Sequence, residues 1–105
     1  MTSETALLDL DELWVGEARG LRKGKLRLLV IRLEDRVVCY DDRCPHLGFP
    51  LSEGRLEGTT LTCAAHGWVF DVETGLGINP GSCRLRSHPV RVVDGKVLLD
   101  VESET

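Results

Sequence analysis

Val90-Arg91-Val92-Val93-Asp94-Gly95-Lys96-Val97-Leu98-Leu99-Asp100-Val101 reads as two β-strands joined by a two-residue turn. Asp-Gly between runs of valine and leucine is a strong hairpin signal, because both central residues of such a turn take positive φ. The spacing predicts strands over 90–93 and 97–101. The rest of the chain repeats the pattern, with short apolar runs bounded by Gly, Asp and Pro. Residues 26–33 are rich in Leu, Val and Ile, and 37–40 follow across Glu34-Asp35 as the partner strand of another hairpin. Residues 59–62, led in by Gly54 and Gly58, and 68–72, ending at Glu73-Thr74-Gly75, complete the predicted strands. Helical character is limited to one turn near 9–13, where Asp9 stands as a cap. The expected fold is all-β, a small antiparallel sandwich or barrel of short strands, with 1–105 forming one domain.

Composition narrows the function. The chain has 105 residues, 29% of them charged and 5% aromatic, which describes a globular domain with a modest core of Leu and Val. A net charge of −4 argues against nucleic acid as the main partner, since phosphate backbones need clustered cations. The one basic run, Arg19, Arg22, Lys23, Lys25 and Arg27, is broken by Gly20 and Gly24 and fits the solvated face of a hairpin. Met1-Thr2-Ser3-Glu4-Thr5 lacks the basic start and apolar stretch of a secretory signal, and no apolar run approaches a bilayer span. A cytoplasmic protein without a membrane partner is expected. Its four cysteines are then metal ligands or plain thiols before they are disulfides.

Two segments escape the strand pattern, 43–51 and 75–82, and both are expected as loops, where function concentrates on a rigid β scaffold. Cys44-Pro45-His46 and Cys63-Ala64-Ala65-His66 are a matched pair, each offering one thiol and one imidazole, with sixteen residues between the halves. Three readings compete at this point. In the first, the thiols and imidazoles never meet and are ordinary core and surface groups. In the second they bind zinc in a tetrahedral Cys2His2 set, although zinc fingers usually pair like with like and wind a helix afterwards. In the third they hold a [2Fe–2S] cluster in which two histidines replace two cysteines on one iron.

The flanking residues speak for the third. Cys44-Pro45-His46-Leu47-Gly48 and Cys63-Ala64-Ala65-His66-Gly67-Trp68-Val69-Phe70-Asp71, followed by Thr74-Gly75, resemble the two cluster-binding boxes of the Rieske family, and the resemblance covers nearly the whole chain. It implies the Rieske fold, with a cluster-binding subdomain made of two loops and a covering proline loop ending at Pro80. It also implies that Cys44 and Cys63 hold the buried iron and His46 and His66 the outer one. Two thiolates and two neutral imidazoles leave the oxidised cluster formally uncharged, so accepting an electron costs less than at a four-thiolate centre. Rieske potentials accordingly run from about −150 to +300 mV.

Respiratory members of the family resemble these boxes but add a disulfide-bonded cysteine in each, where this chain has Phe49 and Ala65. They also place Ser and Tyr hydroxyls where this chain has Trp68 and Phe70. Hydrogen bonds from such donors stabilise the reduced state, so their absence predicts a potential near the low end.

Leu13-Trp14-Val15-Gly16-Glu17, Leu51-Ser52-Glu53-Gly54 and Gly77-Ile78-Asn79-Pro80 resemble the Rieske ferredoxins of multicomponent aromatic, toluene 4-monooxygenase-like, diiron monooxygenases. The resemblance implies a one-electron carrier, not an enzyme in itself. It would work between an NAD(P)H-dependent flavoprotein reductase and the hydroxylase component of an oxygenase. The ferredoxin of an aromatic-ring-hydroxylating dioxygenase is the alternative, and a zinc-binding structural module is the alternative from another class. A monomer is expected, since a carrier must expose its cluster edge to successive partners. Cys39 and Cys83 are expected as packed thiols, His88 as a surface histidine, and Trp14 and Trp68 as core.

Overall fold

The computed structural model describes residues 4–24, 26–43, 50–64, 67–79 and 84–100. Ten strands run in the order β1 (Glu4–Asp9), β2 (Ala18–Lys23), β3 (Leu26–Arg32), β4 (Val37–Asp41), β5 (Arg55–Glu57), β6 (Thr60–Thr62), β7 (Val69–Asp71), β8 (Gly77–Asn79), β9 (Val90–Val93) and β10 (Lys96–Asp100). Two 3-10 turns, Leu10–Glu12 and Leu51–Glu53, are the helical elements among the described residues. No helix among them is long and apolar enough to cross a membrane. The Asp9 turn forms as expected, with the Glu12 carboxylate accepting from the Asp9 N–H at 2.9 Å.

All pairing is antiparallel, in three sheets ordered β1-β10-β9, β2-β3-β4 and β5-β6-β7-β8. The central strand of the β2-β3-β4 sheet, β3, is buried on both faces, which explains why 26–33 is almost continuously apolar and does not alternate. Leu28, Val30 and Cys39 point into one core with Leu13, Val97 and Leu99 of the terminal sheet's side. Leu29, Ile31 and Tyr40 point the other way, into a core with Leu51, Leu61, Cys63, Phe70, Val72 and Leu85. Successive side chains on a strand face opposite sides, so one strand serves both cores.

The Asp94-Gly95 turn has φ of 52° and 76°, the two positive values its sequence demands. The basic run lies on the β2–β3 hairpin, as its composition suggests. Four strands were not legible. β1 pairs with β10 at the far end of the chain, β2 carries only two apolar side chains, and β5 is three residues long. Residues 77–79, expected as loop, instead form β8 against β7, with a register shift at Val69/Phe70. Tertiary pairing supplies what the glycine-rich local sequence does not.

Two side chains are also placed differently. Trp14, expected in the core, is 82% exposed. Its turn is closed by the Glu17 N–H donating to the Trp14 carbonyl and by Gly16 at φ +88°, which leaves the indole outside. His88, expected at the surface, is 5% exposed. The segment it belongs to runs along the free edge of β4, where the His88 N–H donates to the Cys39 carbonyl and the Asp41 N–H to the Arg86 carbonyl. His88 Nε2 then meets Asp41 Oδ1 at 2.5 Å.

Candidate metal centre

β4 leads into the first loop and β6 into the second. Asp42, just past β4, donates its N–H to the Arg27 carbonyl at 2.9 Å. On the far side of that loop the turn Leu51–Glu53 resumes, with Leu51 fully buried. Ser52 reaches back to Asp42, donating its N–H to Oδ1 at 2.6 Å and its hydroxyl to Oδ2 at 2.7 Å. Gly54 then passes so close to β6 that a Cβ there would sit 2.2 Å from the Thr62 carbonyl oxygen. These contacts link the end of β4, through the Leu51–Glu53 turn, to the end of β6.

Cys63 follows β6 directly and is 1% exposed, with a free thiol packed in the core that holds Leu51, Leu61 and Phe70. Its backbone is held on both sides, since its N–H donates to the Trp68 carbonyl at 2.7 Å and its carbonyl accepts from Gly67 at 3.0 Å. Gly67 makes that return at φ +71°, in the left-handed region that favours glycine. The β6–β7 hairpin thus presents its first loop residue as a dry, fixed sulfur. A buried thiol that is tied at both peptide groups suits a soft thiolate ligand better than a reactive surface cysteine.

The other side of this sheet is pinned by Tyr40, whose hydroxyl donates to the Val72 carbonyl at 2.6 Å. Burial raises its phenol above the ordinary value, with Arg36 opposing and Asp71 and Cys39 adding to the rise. A Cβ on Gly75 would lie 3.0 Å from the Tyr40 ring, so the β7–β8 turn is glycine where the ring passes beneath it. Cys39 is a buried thiol in the other core, as expected. Trp68 packs partly buried against the Cys63 core, and Phe70 is fully buried within it. Of the four expected ligands, Cys63 is placed by the structure; Cys44, His46 and His66 lie outside the described residues, as do Cys83 and the lid proline, Pro80.

Cys63 thus stands in a core shared by two sheets, at the start of a Cys-x-x-His sequence. The chain belongs to the Rieske [2Fe-2S] domain family, which its residues 3–89 match, and its cofactor is a Rieske-type [2Fe–2S] cluster. That membership removes the zinc reading. Within the family, the chain is 43% identical over 94 residues to the ferredoxin component of the alkene monooxygenase system of Xanthobacter autotrophicus, covering 89% of this chain and 77% of that one. The ferredoxin of Sphingomonas yanoikuyae B1 superposes with a TM-score of 0.83 at 28% identity, covering 93% of this chain and 98% of that one. A ferredoxin solved in complex with the oxygenase of carbazole 1,9a-dioxygenase gives 0.83 at 29% identity, covering 92% of each chain.

Proposed function

We propose that this chain is a one-electron carrier that feeds the hydroxylase of a multicomponent monooxygenase, with its cluster held by Cys44, His46, Cys63 and His66. The observation that carries the ligand assignment is Cys63, a buried thiol fixed at the start of a Cys-x-x-His loop. When bound, the cluster takes up one electron and gives it back. The chain's own residues hold and shield it. Cys63 supplies a sulfur from the dry core, while Leu51 and Phe70 keep water from that side. Neither Trp68 nor Phe70 carries a hydroxyl to donate toward the cluster, which supports a potential near the low end of the Rieske range.

The similarity to an alkene monooxygenase ferredoxin at 43% identity, against 31% for the anthranilate 1,2-dioxygenase ferredoxin of Burkholderia cepacia, supports the monooxygenase reading over the dioxygenase one. In this reading the chain is one domain over 1–105 and a cytoplasmic monomer. Electrons reach it from an NAD(P)H-dependent flavoprotein reductase and leave to a diiron hydroxylase, which alone selects the substrate, aromatic or alkene.

The test is rapid mixing of the anaerobically reduced protein with a diiron hydroxylase from the same organism, followed by oxygen and either toluene or propene. Fast loss of the reduced-cluster spectrum with formation of a phenol or an epoxide is the expected result. Formation of a dihydrodiol would move the protein to the dioxygenase group. A fully metallated protein with no reducible chromophore would overturn the carrier reading.

A further inference from the structure

The loop that carries Cys44 and His46 leaves the sheet at Asp42 and returns at the Leu51–Glu53 turn, and one side chain joins the two ends. Asp42 is 8% exposed, one of two buried polar or charged side chains among the described residues. Both of its carboxylate oxygens are taken by Ser52, through the backbone N–H at 2.6 Å and the hydroxyl at 2.7 Å. No cation among the described residues lies within ion-pair distance of it. Two hydrogen bonds from one residue to the two oxygens of a carboxylate fix both the distance and the orientation of the loop ends.

The neighbouring strand is shaped around this contact. Gly20 of β2 faces it, and a Cβ there would fall 2.7 Å from both Cβ and Oγ of Ser52 and 2.9 Å from Asp42 Oδ2. The φ of Gly20 is not in the left-handed region, so space, not backbone conformation, is what its missing side chain provides. Asp42 is further held by its N–H bond to the Arg27 carbonyl, and Ser52 by its fully buried neighbour Leu51.

We propose that Asp42 and Ser52, seated on Gly20, are positioning residues that clamp the two ends of the first ligand loop and so set where Cys44 and His46 stand relative to Cys63. The inference rests on the ligand assignment proposed above. Residues that orient metal ligands typically change metal affinity or activity by about 10–100-fold when removed. The clamp should do the same for retention of iron.

The experiment uses the cluster-loaded protein and the variants Ser52→Ala, Asp42→Ala, Asp42→Asn and Gly20→Ala. Three quantities are read on each: the rate of iron transfer to a chelator, the g values of the reduced protein by EPR, and the thermal midpoint. Ser52→Ala and Asp42→Ala should release iron about 10–100-fold faster and shift the g values. Gly20→Ala should reproduce both effects, because its methyl group displaces Ser52. Asp42→Asn, which keeps an acceptor for the Ser52 N–H and offers a donor to its hydroxyl, should stay close to wild type. Should Asp42→Ala fail to fold, Ser52→Ala, which removes the hydroxyl bond, and Gly20→Ala, whose methyl meets both partners, decide together. Wild-type iron release and g values in both of these variants overturn the clamp and leave the ligand assignment standing, as does a lowered midpoint with iron release unchanged. A wild-type protein without a [2Fe–2S] EPR signal overturns the assignment on which the clamp rests.

Discussion

Tyr40 is the only tyrosine in the chain, and its hydroxyl donates to the Val72 carbonyl inside the core. Tyr40→Phe removes that bond and leaves a buried carbonyl short of a partner, which should cost about 1–3 kcal/mol in thermal or denaturant unfolding. Burial also raises its pKa in the folded state. The unfolded chain therefore releases this proton first. The contribution of Tyr40 is complete below about pH 10, the ordinary phenol value, and is lost as the pH rises through the folded value. The wild type should lose stability relative to Tyr40→Phe above that point, and parallel pH curves for the two proteins would disprove the linkage. At the proposed ligands, Cys63→Ser should abolish normal cluster assembly, read as iron and acid-labile sulfide; full retention would remove Cys63 from the set. His46→Cys or His66→Cys replaces a neutral donor with a thiolate and should lower the potential wherever the cluster survives. At this scale the sequence was a fair guide to chemistry and a poor one to exposure. Cys39 is buried as its type suggests, but His88 and Trp14 are the reverse of their expectation. Their positions depend on which strand edge or turn lies beside them, and that is a property of distant residues.

Among the elements, the strands rich in Val, Leu and Ile were legible; β1, paired with the far end of the chain, was not, and neither were the short or polar β2, β5 and β8, although each pairs with its neighbour in sequence. The β9–β10 turn carries its own instructions in Asp94-Gly95, and nothing lies within 4 Å of a Cβ at Gly95. Gly95→Ala should therefore cost only the backbone strain of a left-handed alanine, about 1–2 kcal/mol, seen as a drop of the thermal midpoint; no drop would mean that the turn is not held at positive φ. Gly20→Ala differs in kind, since its penalty is steric and falls on Asp42 and Ser52. β1 acquires strand geometry from a partner at the other end of the chain, and β5 and β8 from β6 and β7, whose own composition marks them as strands. The segment around His88 is a further case, tied to the middle sheet by the bridge between Tyr40 and Ser87 and to β8's approach by that between Leu76 and Arg84.

For the molecule as a whole, the decisive feature is a middle sheet with a core on each face. Leu28 and Leu29 are adjacent and both fully buried, yet they serve different cores, and only that of Leu29 contains Cys63. Leu28→Ala and Leu29→Ala should each cost about 2–5 kcal/mol of stability. Iron release from the folded protein should quicken in Leu29→Ala and hold near wild type in Leu28→Ala; equal effects would show that the two cores act as one. The sequence by itself determined the chemistry, because the thiol–imidazole pairs and their flanking residues are contiguous in the chain and can be read in place. It determined the β3–β4 and β9–β10 hairpins for the same reason, their turn residues being local. Only the tertiary structure decided that one sheet would carry both cores, that Cys63 would be dry, and that Asp42 would meet Ser52 beneath Gly20. Each of these depends on residues brought together from separate strands, by burial and close approach that leave no periodic mark in the sequence.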